Sequence, residues 1–265
     1  VTTLAVAQAI STPRDVVSNV RRHTVLASVA AAHGAQLVVF PELSLTSYDL
    51  GLRREDALDP ADPRLTPLAT LARARRMTIV AGGPVVVADG VAIGAFVFSP
   101  DAPPAVHTKQ HLHPGEDVAF VPGSGGPTLA VADSVVGLAI CADFTHPEHA
   151  AAAAASGATV YAAGALISEA GYGVDSASLR QAARVHGMLV LMANYGEPTG
   201  GWLSAGRSAI WRPDGTLLVE GPSRGEAVVL AHRDGGDWEG AVVGADAGLD
   251  EGPAVVWLDT QGPRT

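Results

Sequence analysis

In 265 residues there is one cysteine, Cys141, and one lysine, Lys109. A single cysteine excludes an intramolecular disulfide and a cysteine-rich zinc centre. No stretch approaches the ~20 apolar residues that a membrane-spanning helix needs. The opening VTTLAVAQAI lacks the basic flank of a signal peptide and reads as a strand. A reducing, cytoplasmic location is the expectation. Positive charge is scarce too. The formal net charge of −10 makes phosphate backbones and anionic lipid surfaces poor partners, so neither nucleic acid nor membrane is expected. Low complexity is confined to Ala150–Ala155, short enough for one helix.

Sixteen of the seventeen basic residues are arginine. Arginine is a planar fork that stays charged, whereas lysine is a compact point charge on a flexible stem. A lone lysine in such a sequence marks a position where arginine does not fit. The alternative is chance survival on a solvated face.

The hydropathy pattern alternates strands with helices. Leu4–Ala9, Leu37–Phe40, Thr78–Val87, Val91–Ser99 and Ala105–Lys109 read as extended. So do Leu129–Ala132, Val135–Ile140, Thr159–Ala162, Met188–Ala193, Ser208–Trp211, Leu217–Glu220 and Ala227–Ala231. Helices are expected from an Asp15 cap to Ala32, over Pro63–Arg76, from Pro147 to Gly157, and over Asp175–His186. This order predicts an α/β fold with layered sheets and outer helices, as one domain over residues 1–231. Residues 232–265 read as an irregular tail, packing on the domain or on a partner subunit, with one strand near Val255–Leu258. Two segments, His33–Glu42 and Ser156–Ala165, share a helix–glycine–strand grammar, either as an internal echo or by convergence.

Cys141 ends an apolar strand and precedes a helix, where outward backbone N–H groups lower a thiol pKa or hold an oxyanion. Glu42 leaves the carboxyl end of another strand, the edge where α/β sheets gather ligands. Lys109 also stands at a strand end, and Glu116 follows seven positions later to orient Lys109 or a substrate amine. Taken singly, each acid also reads as a solvated loop residue.

The segments Val39–Glu42, His107–Leu112, Glu116 through Gly123 and Gly137–Asp143 resemble the nitrilase superfamily of carbon–nitrogen hydrolases, as do Ala193-Asn194 and Gly206–Gly215. The likeness runs over about residues 3–231, with the Glu, Lys and Cys motifs in the family's order. It implies a four-layer αββα sandwich of two mixed sheets with outer helices, no cofactor, and a homodimer or larger homo-oligomer. It implies that Glu42 is general base, Cys141 nucleophile, Lys109 and the Ala142 N–H oxyanion donors, and Glu116 the second glutamate. Two positions depart from the family pattern: Ala142 stands where an aromatic residue is usual, and the following arginine is missing. Cys141-Ala142-Asp143 is similar to the amidase and carbamoylase branches, whereas nitrile-cleaving members carry Cys-Trp-Glu. The expected reaction is cleavage of an amide or N-carbamoyl bond in a small molecule through a thioester. Nitrile hydrolysis and a non-catalytic binding protein of the same fold are the alternatives.

Tyr48, His146, Tyr172 and Asn194, with Ala142, are candidate substrate contacts; Tyr195 and Trp202 are further pocket candidates, each equally readable as packing. A catalytic zinc assembled from His107, His111, His113, His146 and His149 with Glu116 is the competing chemistry, although no HExxH is present, and no metal is expected. Gly221–Gly225 fits GxSxG but precedes a strand instead of a helix, and Ser124 lies in a protease-like fragment within the wrong fold class.

Overall fold

The computed structural model describes residues 1–245. Its first sheet holds β1 (Thr2–Gln8), β2 (Leu37–Val39), β3 (Thr78–Val87), β4 (Gly90–Phe98), β5 (Ala105–Thr108), β12 (Ala227–Arg233) and β13 (Glu239–Gly244). The second holds β6 (Leu129–Val131), β7 (Ser134–Ile140), β8 (Val160–Gly164), β9 (Leu189–Ala193), β10 (Ala209–Trp211) and β11 (Leu217–Glu220). The strand orders are β13-β12-β1-β2-β3-β4-β5 and β11-β10-β9-β8-β7-β6. Each sheet has a parallel trio, β1-β2-β3 or β7-β8-β9, flanked by antiparallel strands.

Strand alternation builds the layers. Leu4 and Val6 of β1 face Leu138, Leu191 and Ile210 in the core between the sheets. Their neighbours Ala5 and Ala7 face outward, packing with Val20 and Leu26 of α1 (Val16–Ala32) and Leu68 of α2 (Thr66–Arg75). On the other flank, Tyr161, Ala163 and Val190 pack with Ala150 of α3 (Pro147–Ala155) and with Leu179 and Ala183 of α4 (Tyr172–His186). The αββα sandwich of two mixed sheets is therefore observed.

The Asp15 cap is present, its carboxylate accepting from the Ser18 N–H at 3.0 Å. The echoed segments lead from the end of α1 into β2 and from the end of α3 into β8, one in each sheet, and each strand pairs parallel with the strand before its helix, β1 or β7. The irregular tail expected from residue 232 is corrected. β12 runs on to Arg233, and β13 pairs antiparallel with it as the edge of the first sheet. The apolar residues of β13 are few, but Ala241 and Val243 alternate inward, a period-2 signal too short to register in a Gly/Asp-rich stretch. The strand expected near Val255–Leu258 lies outside the described residues.

Candidate active site

Glu42 follows β2, Lys109 follows β5 and Cys141 follows β7. Two glycines let the Pro41-Glu42 turn enter between the strand ends. A Cβ on Gly82 would lie 2.4 Å from both Pro41 O and Leu43 N, and one on Gly164 only 2.5 Å from Phe40 O.

Lys109 Nζ donates to Glu42 Oε1 at 2.6 Å and to Glu116 Oε1 and Oε2 at 2.9 and 2.7 Å. All three side chains are buried. Glu116 also accepts from Tyr48 Oη at 3.0 Å and from the His113 N–H at 2.7 Å, which holds it as a fixed counterion. Glu42 differs. Its Oε2 is buried without a hydrogen-bond partner, and the Cys141 thiol acts on the same carboxylate. Tyr195 Oη donates to the Glu42 backbone carbonyl at 2.6 Å and fixes the turn from below.

Cys141 has φ of +44°, in the left-handed region, and opens a short 3-10 turn over Cys141–Thr145. A non-glycine residue there costs on the order of 1 kcal/mol or more and needs its surroundings to hold it. Asp143, fully buried, supplies that hold. Its Oδ2 accepts from the Ile140 N–H at 3.0 Å, and its Oδ1 from the Gln110 and His111 N–H groups at 3.0 and 2.8 Å. One carboxylate therefore ties the residue before Cys141 to the residue after Lys109. In the sequence Asp143 distinguishes only the branch; its place two residues past the nucleophile is the signal that marks this role.

Burial pushes the Glu42 pKa up to about 7, with Lys109 opposing and Glu116 reinforcing the rise. Burial disfavours the Lys109 charge, yet Glu42, Cys141 and Glu116 together hold its pKa above the usual lysine range. The lowered thiol pKa expected at Cys141 is corrected: burial, then the Glu42 charge, push it well up, and Lys109 only partly offsets them. Two carboxylates outweigh one ammonium in a desolvated site.

A cavity of about 270 Å³ opens over these groups, lined by Glu42, Tyr48, Glu116, Cys141, Ala142 and Trp202 among others. Lys109 sits behind that lining. Three expected contacts fall elsewhere. Tyr172 Oη donates to Glu220 Oε2 at 2.7 Å, with the Arg207 guanidinium stacked 4.0 Å over its ring. Asn194 is buried, accepting from the Ile167 and Tyr195 N–H groups and donating to Ile167 O and Gly206 O. It thereby fixes the segment whose Leu166 carbonyl lies 3.7 Å from Cys141 Sγ. His146 stacks on His111 at 3.9 Å, away from the cavity lining. Asp175, read only as a helix start, lines the cavity instead, because α4 begins a turn earlier at Tyr172. The histidine grouping on Glu116 does not form, since Glu116 is committed to Lys109; Ser223 lies in the β11–β12 connection with no helix after it.

Comparisons with known proteins point to a family and to a shared fold. The chain is 25% identical to a mutant amidase from Nesterenkonia sp. AN1 that carries acrylamide added at its active-site cysteine. The two superpose with a TM-score of 0.79 over 88% of this chain and 94% of that one. A second structure of that amidase, with the acetamide moiety of fluoroacetamide on the cysteine, gives 0.77 at 26% identity over 86% and 89%. Among curated sequences, a glutamine-dependent NAD(+) synthetase of Rhodobacter capsulatus is 31% identical over 78% of this chain. A nitrilase of Pyrococcus abyssi is 35% identical over 50%. The match spans 39% of the synthetase and 53% of the nitrilase, so the chain covers about half or less of these relatives. A family model described as carbon-nitrogen hydrolase matches residues 3–241, and the chain belongs to that family, within the nitrilase superfamily.

Proposed function

We propose that this chain hydrolyses a carbon–nitrogen bond, other than a peptide bond, in a small amide or N-carbamoyl compound. The observation that carries this reading is the buried Oε2 of Glu42, without a hydrogen-bond partner, on a carboxylate that the Cys141 thiol acts on and whose pKa is raised to about 7. It is a base with an open acceptor, poised near neutrality.

Glu42 takes the thiol proton as Sγ bonds to the carbonyl carbon. The electron pair moves to the carbonyl oxygen, which Lys109 Nζ and the Ala142 N–H stabilise. Protonated Glu42 binds Lys109 less tightly, which frees the ammonium for the oxyanion at that moment. Collapse breaks the C–N bond, and Glu42 returns its proton to the leaving nitrogen. Glu42 then deprotonates a water that attacks the thioester, releasing the acid and restoring the thiol. Glu116 keeps Lys109 charged and placed throughout. No cofactor is required.

The Cys141-Ala142-Asp143 motif, similar to the amidase and carbamoylase branches and with Ala142 on the cavity wall, supports amide and carbamoyl substrates over nitriles. A panel of amides, N-carbamoyl compounds and nitriles tests this: turnover of the first two is expected, and exclusive nitrile turnover overturns it. A non-catalytic binding protein would instead leave Cys141 alkylating as slowly as an ordinary thiol, and substitution of Glu42 would not alter the rate.

We further propose that the chain works as a homodimer. Val174 and Val185 of α4 are exposed and border a groove with Ala150 of α3, adjoining the catalytic cavity through Phe144 and Thr145.

A further inference from the structure

Behind the nucleophile turn, three side chains from three different elements converge. His107 comes from β5, Asp143 from the turn after β7 and His149 from the first turn of α3. One ligand atom from each lies within 4.8 Å of the others, and all three residues are buried. His149 Nε2 stands 3.8 Å from Asp143 Oδ2. His107 is 6% exposed, yet neither of its ring nitrogens has a hydrogen-bond partner. An unsatisfied buried polar atom costs about 1–3 kcal/mol, so two on one ring call for an explanation.

We propose that His107, Asp143 and His149 bind a divalent transition-metal ion of the zinc type. Two imidazole nitrogens and a carboxylate oxygen favour such an ion over magnesium or calcium. His149 Nε2 and Asp143 Oδ2 are 3.8 Å apart and no pair of the three ligand atoms is more than 4.8 Å apart, so a point between them lies at most roughly 2.8 Å from each, and a small inward shift reaches zinc-ligand distances. The outer shell is already present. His149 Nδ1 is 2.7 Å from Tyr161 Oη, an arrangement that leaves Nε2 as the metal-facing nitrogen when Nδ1 carries the proton. The ion braces β5, the Cys141 turn and α3 against one another; the hydrolytic chemistry stays with Cys141.

The test uses the full chain carrying Cys141→Ala, so that the thiol cannot take the metal. After chelation and dialysis, Zn²⁺ is titrated in while metal content and melting temperature are measured. One ion per chain is expected, with a melting temperature rise of about 5 °C at a hundredfold excess over Kd. His107→Phe keeps a ring in place without its nitrogens, and His149→Gln removes the second imidazole. Each abolishes the metal-dependent rise; if one variant fails to fold, the other decides. His146→Asn disrupts the adjoining, more exposed group His111, His146 and Glu148, which meets the proposed site through the His111 contact to Asp143, and leaves the rise intact. No bound ion in the parent, a rise that survives His107→Phe and His149→Gln, or a rise lost in His146→Asn each overturns the proposal.

Discussion

Lys109 Nζ lies 2.6 Å from Glu42 Oε1, and neither side chain reaches solvent. With Glu116 on its other side, the only lysine of the chain serves two carboxylates in a desolvated pocket. The contact fixes where Glu42 can point, leaving its second oxygen for the thiol. It also alters what substitutions at Lys109 should do.

From the sequence, replacing Lys109 is expected to affect turnover and leave stability nearly unchanged. The buried triad changes the second half of that expectation. Lys109→Ala strands two carboxylates without a cation, and breaking a buried pair costs about 3–5 kcal/mol. Lys109→Arg keeps the charge but forces a larger planar group between Glu42 and Glu116. Both variants should lose at least about 10²-fold in turnover, the cost of one oxyanion donor. Differential scanning calorimetry should find Lys109→Ala melting well below the parent, and parental turnover in Lys109→Arg would remove the assigned role.

Cys141→Ala should lose all measurable turnover and keep its melting temperature within a few degrees, since the change removes one sulfur atom whose contact to Leu166 O is long, at 3.7 Å, and leaves the Cβ packed in place. Full activity in this variant would end the thioester mechanism.

Glu42 sets the acid limb of the pH profile. Its pKa is raised to about 7, so kcat/KM should fall tenfold per unit below that midpoint as the base becomes protonated. The stability sign is opposite. A carboxyl with a raised folded-state pKa binds its proton more tightly in the native state, so its contribution is present below about 4.5 and is lost as pH rises through about 7. Glu42→Gln should therefore be inactive, and its melting temperature relative to the parent should rise between pH 5 and pH 8. A flat difference across that range would contradict the raised pKa.

Gly164 touches no substrate, yet a Cβ there would meet Phe40 O at 2.5 Å. Gly164→Ala should displace the Pro41-Glu42 turn, lowering kcat by at least about tenfold, because small misplacement of a reacting group is costly. An active variant with parental kcat would show that the turn tolerates the shift.

Light scattering at micromolar concentration should report a dimer. Val185→Arg on the exposed face of α4 should shift it toward monomer. A stable monomeric parent would remove the assembly proposal.

Much of the fold was legible because each device was local. Asp15 before an apolar period, Gly34 and Gly157 after helices, and period-2 strands all act within a few residues, and the elements formed where those signals stood. β13 escaped because two inward residues in a Gly/Asp-rich stretch make too weak a periodicity, and its pairing with β12 supplies the rest. Tyr172 and Asn194, candidate contacts in the sequence, are held outside the cavity lining because side-chain direction depends on partners far along the chain, Glu220 for one and Ile167 with Gly206 for the other.

By itself the sequence determined which residues could do chemistry: one thiol, one ammonium, and acids at strand ends. Only the tertiary structure decided their charge states and their neighbours. Burial raised the Glu42 pKa, and raised that of Cys141 against the expectation from the turn's N–H groups, because desolvation depends on every surrounding element at once. It likewise made Asp143 the tie between the lysine and cysteine segments and brought His107 to His149, across a sequence distance that no local pattern spans.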